Sequence, residues 1–237
     1  KSLHTSFESA YSYLPLKDIG PDRFGYAPVV VELNDGFKVA VTDVAVDNYP
    51  GMFLTGNKEG LARLIGKFAA YPAEEKLRQG SDRELEVVQE ANYLAETRGN
   101  RQYPWRLVLL AENDAQLVSS DIVFRLSPPT ELKDTTWIKP GKVAWDWWNA
   151  LNLFGVDFKS GINTETYKYY VDFASRYGLE YIILDEGWSD PADLFKINPK
   201  LNLEEVVRYA ESKKVGVILW CVWYTLDQQM DRALDYF

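Results

Sequence analysis

Tyr181-Ile182-Ile183-Leu184-Asp185-Glu186-Gly187-Trp188 is the stretch that decides the fold. A short apolar run ends abruptly in two adjacent carboxylates, and a glycine and a tryptophan follow. A parallel strand buried on both faces has this pattern when it delivers acids to the mouth of an α/β barrel. The competing reading is an ordinary strand end with solvated acids. The surrounding rhythm decides between them.

From Lys142 onward the chain alternates strand and helix. Lys142–Trp147 reads as a strand. Asn163–Tyr177 reads as a helix, capped by Asn163 or Thr164, with Tyr167, Tyr170, Val171 and Ala174 at helical spacing and Gly178 as the stop. Leu179–Leu184 is the second strand and Leu203–Ser212 the second helix, with Asn202 as its cap. Val215–Val222 is the third strand, and Leu226–Phe237 begins a third helix. This βαβαβα order predicts parallel strands with right-handed crossovers. Three such units do not close a barrel, and an open three-stranded sheet exposes an apolar edge. The expectation is that the remaining barrel strands of the same protein complete it.

The first half has a different rhythm. Tyr26–Glu32, Phe37–Asp43, Leu85–Leu94, Arg106–Ala111 and Ile122–Leu126 read as strands. Asn34-Asp35-Gly36 reads as a hairpin turn; Asn57-Lys58-Glu59-Gly60 and Arg98-Gly99-Asn100 are further turns. Regular short strands with such punctuation suggest a β-sandwich. Pro128-Pro129 marks the transition. The fold class is therefore a partial β-sandwich over 1–128, a linker over 129–140, and the first three βα units of a (β/α)8 TIM barrel over 141–237.

Composition narrows the chemistry. The 237 residues carry 35 acids against 26 Lys and Arg, a net charge of −9. Phosphate binding wants a basic stripe, so nucleic acid is not an expected partner. No apolar run reaches the roughly 18–20 residues of a membrane span. Cys221 and His4 are the single cysteine and histidine. An internal disulfide and a Cys/His zinc cluster are thereby excluded, and acid–base chemistry falls to carboxylates. Cys221 sits in an apolar strand and reads as packing. No Gly-rich phosphate loop follows any strand.

In a parallel barrel the active site lies at the C-terminal strand ends. Those ends read Trp145-Asp146-Trp147-Trp148-Asn149, Asp185-Glu186-Gly187-Trp188 and Trp220-Cys221-Val222-Trp223-Tyr224. All three bring aromatics and two bring acids, which together suit an oligosaccharide substrate. Asp146, Asn149, Asp185 and Glu186 can bond hydroxyls; Trp147, Trp148, Trp188 and Trp223 can stack on sugar rings. Strand alternation would place Trp145 and Trp147 opposite Asp146 and Trp148, so some of these tryptophans belong to the core. Glycoside hydrolysis needs two carboxyl groups across the scissile bond. Neighbouring Asp185 and Glu186 diverge on a strand and make a poor pair, so they read as substrate-binding residues. A carbohydrate-binding module without catalysis is the alternative.

The run Trp137-Ile138-Lys139-Pro140-Gly141-Lys142, the motif Trp145–Asn149, the segment Gly161–Tyr170 and the opening stretch together resemble glycoside hydrolase family 97. Asp47-Asn48-Tyr49-Pro50-Gly51-Met52 and Tyr103-Pro104-Trp105-Arg106 resemble that family's N-terminal domain. The resemblance implies a sandwich, a catalytic barrel and a small C-terminal β domain, with cleavage of α-glucosidic or α-galactosidic bonds and a calcium cofactor. The tryptophan-rich first strand leans toward the retaining α-galactosidase branch. It also implies a periplasmic or secreted location, and catalytic acids that follow Phe237. Glu8, in Ser6-Phe7-Glu8-Ser9, is the position that would match a calcium-binding glutamate; Asp43 and Asp47 are weaker candidates.

Overall fold

The computed structural model describes residues 10–57, 61–81, 83 and 85–237. The chain forms two compact units. Residues 1–75 and 87–133 make the first; 76–86 and 134–237 make the second.

The first unit is antiparallel. β1 (Phe24–Tyr26) precedes β2 (Val29–Glu32), β3 (Lys38–Val44), β4 (Phe53–Thr55) and β5 (Ile65–Lys67). β6 (Pro72–Leu77) and β7 (Leu85–Glu90) form a two-stranded ribbon whose residues 76–86 count with the second unit, and β8 (Trp105–Ala111) follows. One sheet has the order β2-β3-β8, with Val41 opposite both Val29 and Val108. A second has the order β1-β4-β5. The predicted turn at Asn34-Asp35-Gly36 joins β2 to β3. There the Leu33 N–H donates to the Phe37 carbonyl at 2.8 Å, and the Phe37 N–H donates to the Asp35 carboxylate at 3.3 Å.

Two sequence expectations fail in this unit. Tyr26–Glu32 is two strands, because Pro28 has no amide hydrogen and interrupts the ladder. Ile122–Leu126 is a helical turn, α2, preceded by α1 (Asp114–Val118). Five apolar-rich residues fit either state by pattern alone. β4, β5 and β6 were not anticipated, since each is short and two carry Gly or charged residues.

The second unit follows the expected alternation. β9 (Val143–Trp145), α3 (Thr164–Tyr177), β10 (Tyr181–Leu184), β11 (Ser189–Asp190), β12 (Asp193–Ile197), α4 (Leu203–Ser212), β13 (Gly216–Leu219) and α5 (Trp223–Tyr236) run in order. β9, β10 and β13 form one parallel sheet with β10 central. Ile182 lies between Ala144 and Val217 in the register. Asn163 caps α3 by accepting the Thr166 amide, and Gly178 ends it in the left-handed region. Asn202 caps α4 through the Glu205 amide. The stripe Tyr167, Tyr170, Val171 and Ala174 is buried against Ile182 and Leu184 in one core with Val206 and Ala210. The antiparallel β11–β12 hairpin lies in the connection after β10 and was not foreseen.

Candidate active-site rim

The first strand stops earlier than its sequence suggests. β9 ends at Trp145, and Asp146–Asn149 wind into a 3-10 turn. Ala150 and Leu151 then take left-handed φ values of 52° and 57°. The strand alternation expected for Trp145 to Trp148 therefore breaks down. Trp145 and Trp147 lie together, with ring centroids 5.3 Å apart. Trp148 is 80% exposed.

Asp146 is a correction. It was expected to grip sugar hydroxyls, yet it is only 2% exposed. Its carboxylate accepts the Tyr167 hydroxyl at 2.8 Å, and the Asp185 amide approaches both oxygens at 3.3 Å. Burial raises the Asp146 pKa, and the Tyr167 hydrogen bond opposes that rise. Burial, followed by the Asp146 charge, drives the Tyr167 pKa above the ordinary tyrosine range. The shared proton thus stays on the tyrosine oxygen. Asp146 ties the end of β9 to the end of β10 and to α3, beneath the rim rather than on it.

Asn149 lies at the rim, but its amide is engaged. Its oxygen accepts the Tyr170 hydroxyl at 2.5 Å, and its nitrogen donates to the Asn152 carbonyl at 2.8 Å. Asn152 returns a bond to the Asn149 carbonyl at 2.9 Å. These bonds hold the loop that presents Trp147 and Trp148.

Asp185 and Glu186 stand at the end of β10. One Asp185 oxygen accepts the Trp145 indole N–H at 2.6 Å, and the other accepts the Glu186 amide at 2.6 Å. Glu186 is exposed, and Arg83 grips it in a fork with distances of 2.9 and 2.5 Å. Gly187 has a φ of 112°, and a Cβ there would meet the Ile162 side chain at 2.3 Å. That backbone allows the chain to turn sharply after the two acids.

Trp188 is the second correction. Expected as a stacking platform, it is 2% exposed and belongs to the core. Its indole N–H donates to the Trp220 carbonyl at 2.6 Å. It joins the end of β10 to the end of β13 and has no face open to a sugar.

Trp223 is the first residue of α5, not part of the third strand, which ends at Leu219. It is 68% exposed. With Arg83, Trp220, Tyr224, Asp227 and Gln228 it lines a cleft of about 510 Å³. Cys221 also borders this cleft, and burial raises its thiol pKa, in keeping with packing rather than reactivity.

Glu8 lies outside the described residues. Asp43 accepts the Met52 amide at 2.8 Å and pairs with Arg106 at 3.3 Å, so its carboxylate serves the first unit's own structure. Asp47 offers its backbone carbonyl to Arg101 at 2.7 Å. Among the described residues, no three His, Cys, Asp or Glu side chains gather as a metal site would require.

Arg83 is the rim residue that sequence reading missed. It follows Gly80-Ser81-Asp82, and an arginine in such a turn has the local pattern of a solvated charge. No neighbouring residue signals its partner 103 positions away.

The model described as "Glycosyl-hydrolase 97 N-terminal" matches residues 1–129, and the one described as "Glycoside hydrolase 97" matches 147–237. The chain belongs to glycoside hydrolase family 97. A retaining alpha-galactosidase of Bacteroides thetaiotaomicron is 40% identical over 236 residues, covering 98% of this chain and 35% of that protein. A probable retaining alpha-galactosidase of Streptomyces bingchenggensis is 31% identical over 134 residues, covering 54% of this chain and 20% of that protein. The chain spans about a third or less of the length of these relatives. A family 97 enzyme from Pseudoalteromonas sp. strain K8, solved in complex with acarbose, matches with a TM-score of 0.69 at 22% identity. That match covers 97% of this chain and 34% of the other, and it shows a shared fold.

Proposed function

We propose that this family 97 chain forms the sugar-gripping portion of an enzyme that hydrolyses terminal α-glycosidic bonds, α-galactosides before α-glucosides. The architecture that goes with this reading is a β-sandwich leading into the first three βα units of a (β/α)8 barrel. The carrying observation is the 40% identity to a retaining alpha-galactosidase over nearly the whole chain. The rim supports it: Asp185 and Glu186 stand at the C-terminal end of the central parallel strand, flanked by exposed Trp147, Trp148 and Trp223. Asp185 and Glu186 accept hydroxyls, and the three indoles cover apolar sugar faces.

The bond-breaking pair is a separate matter. A retaining mechanism places its two carboxyl groups about 5–5.5 Å apart across the substrate. Asp185 is committed to the Trp145 indole and the Glu186 amide, and Glu186 to Arg83. Both are therefore held as binding groups, and the nucleophile and general acid come from other strands of the barrel. Calcium and a periplasmic or secreted location enter through the family resemblance. Glu8 is the calcium candidate that the resemblance offers, and no step in this reading runs through the ion.

The test is hydrolysis of an aryl α-galactoside and an aryl α-glucoside by the natural-length protein, with and without chelator. Turnover of either supports the assignment; inertness toward both with calcium present refutes it. Asp185→Asn should cut activity far more than Asp172→Asn. Asp172 bonds Tyr209 and Lys213 on the helix surface. Equal near-wild-type rates would remove Asp185 from the site.

A further inference from the structure

We propose that Arg83 is a positioning residue for the sugar site: it holds the Glu186 carboxylate in the orientation that meets substrate. The inference rests on the α-glycosidase reading above and adds a residue to it that lies outside the parallel strands.

Glu186 needs such a partner. It is an exposed glutamate, and an unrestrained glutamate side chain samples many rotamers. Its backbone is already fixed, because the Glu186 amide donates to Asp185 at 2.6 Å and Gly187 follows in a left-handed turn. The side chain is what remains to be oriented. Arg83 does this through two parallel N–H bonds, one to each carboxylate oxygen, at 2.9 and 2.5 Å. A planar fork fixes direction as well as distance, which a lysine ammonium cannot do.

Arg83 is itself steadied. Its guanidinium lies over the Trp220 ring, 5.8 Å from the centroid. The residues that carry it, 76–86, are part of the second compact unit. Arg83 also borders the cleft lined by Trp223 and Tyr224. The geometry therefore links one arginine to an acid at the end of β10 and to an aromatic wall after β13.

The test uses the natural-length enzyme and an aryl α-galactoside. Arg83→Ala and Arg83→Lys should both lower kcat/KM by about 10²-fold, the scale expected when a reacting geometry is displaced by an ångström. The melting temperature should change little. Added guanidinium ion should restore part of the Arg83→Ala activity and none of the Glu186→Gln loss. In a double-mutant cycle, Arg83→Ala should add almost nothing once Glu186→Gln is present. Full additivity, or an Arg83→Lys enzyme with wild-type kcat/KM, would overturn the proposal. A wild-type enzyme inert on both aryl glycosides would instead overturn the α-glycosidase reading itself.

Discussion

The two units bury their apolar residues in different ways. In the second, parallel β9, β10 and β13 lie under α3 and α4, and Tyr167, Val171, Ile182, Leu184 and Val206 are fully buried. In the first, the β2-β3-β8 sheet buries Ala40, Val44 and Ala111, while Val108 is 71% exposed. A βα unit carries its own cover, because the helix that follows a strand packs back on it. An antiparallel sheet has no such built-in partner, and one face depends on residues far away in sequence.

The sharpest way to break this contrast is a cavity. Ile182→Ala in the second core should destabilise that unit by about 2–5 kcal/mol. Amide exchange resolved by unit would read it, with the first unit unaffected. A loss below 1 kcal/mol would mean that the second core is looser than its burial indicates. In the first unit the tight point is backbone rather than core. A Cβ on Gly56 would sit 1.4 Å from the Ile19 carbonyl oxygen. Gly56→Ala should therefore cost the first unit about 1–3 kcal/mol or more, as overpacking does. A neutral Gly56→Ala would show that the Ile19 segment yields easily.

Asn202→Ala removes the α4 cap and should cost the second unit about 1 kcal/mol by chemical denaturation. Val108→Thr, on the exposed face of β8, should stay within about 0.5 kcal/mol of wild type. A larger loss there would reveal a partner for that face.

Burial raises the folded-state pKa of Asp146 above its ordinary value near 3.8. A carboxyl raised in this way favours the folded state when protonated. Its contribution is fully present below the ordinary value and is lost as pH rises through the raised one. The stability of wild type minus Asp146→Asn should therefore improve as pH falls through that window. A flat difference would mean that the Tyr167 and Asp185 bonds offset the burial completely.

How much of this could be read in advance follows the same division. The α3 and α4 caps, the buried stripe of α3 and the parallel order were legible because each signal is local: an asparagine, a 3.6-residue period, a glycine stop. The aromatic and acidic content of the rim was legible too. Which side of the wall each residue took was not. Asp146 and Trp188 went inward because β9 turns into a 3-10 helix after Trp145 and because the Trp188 indole reaches the Trp220 carbonyl. Arg83 was invisible because its partner is 103 residues away. In the first unit, Ile122–Leu126 was misread for want of enough residues to show a period.

The hairpin of β11 and β12 has a kinetic consequence. Its Leu194 amide donates to the Gln229 side chain on α5 at 3.1 Å, and the Thr225 hydroxyl on the same helix donates to the Pro191 carbonyl at 2.5 Å. The Leu194 N–H is thus shielded by a helix rather than by a neighbouring strand. Its exchange with solvent deuterium times the undocking of α5, and so measures how often the wall beside Trp223 opens.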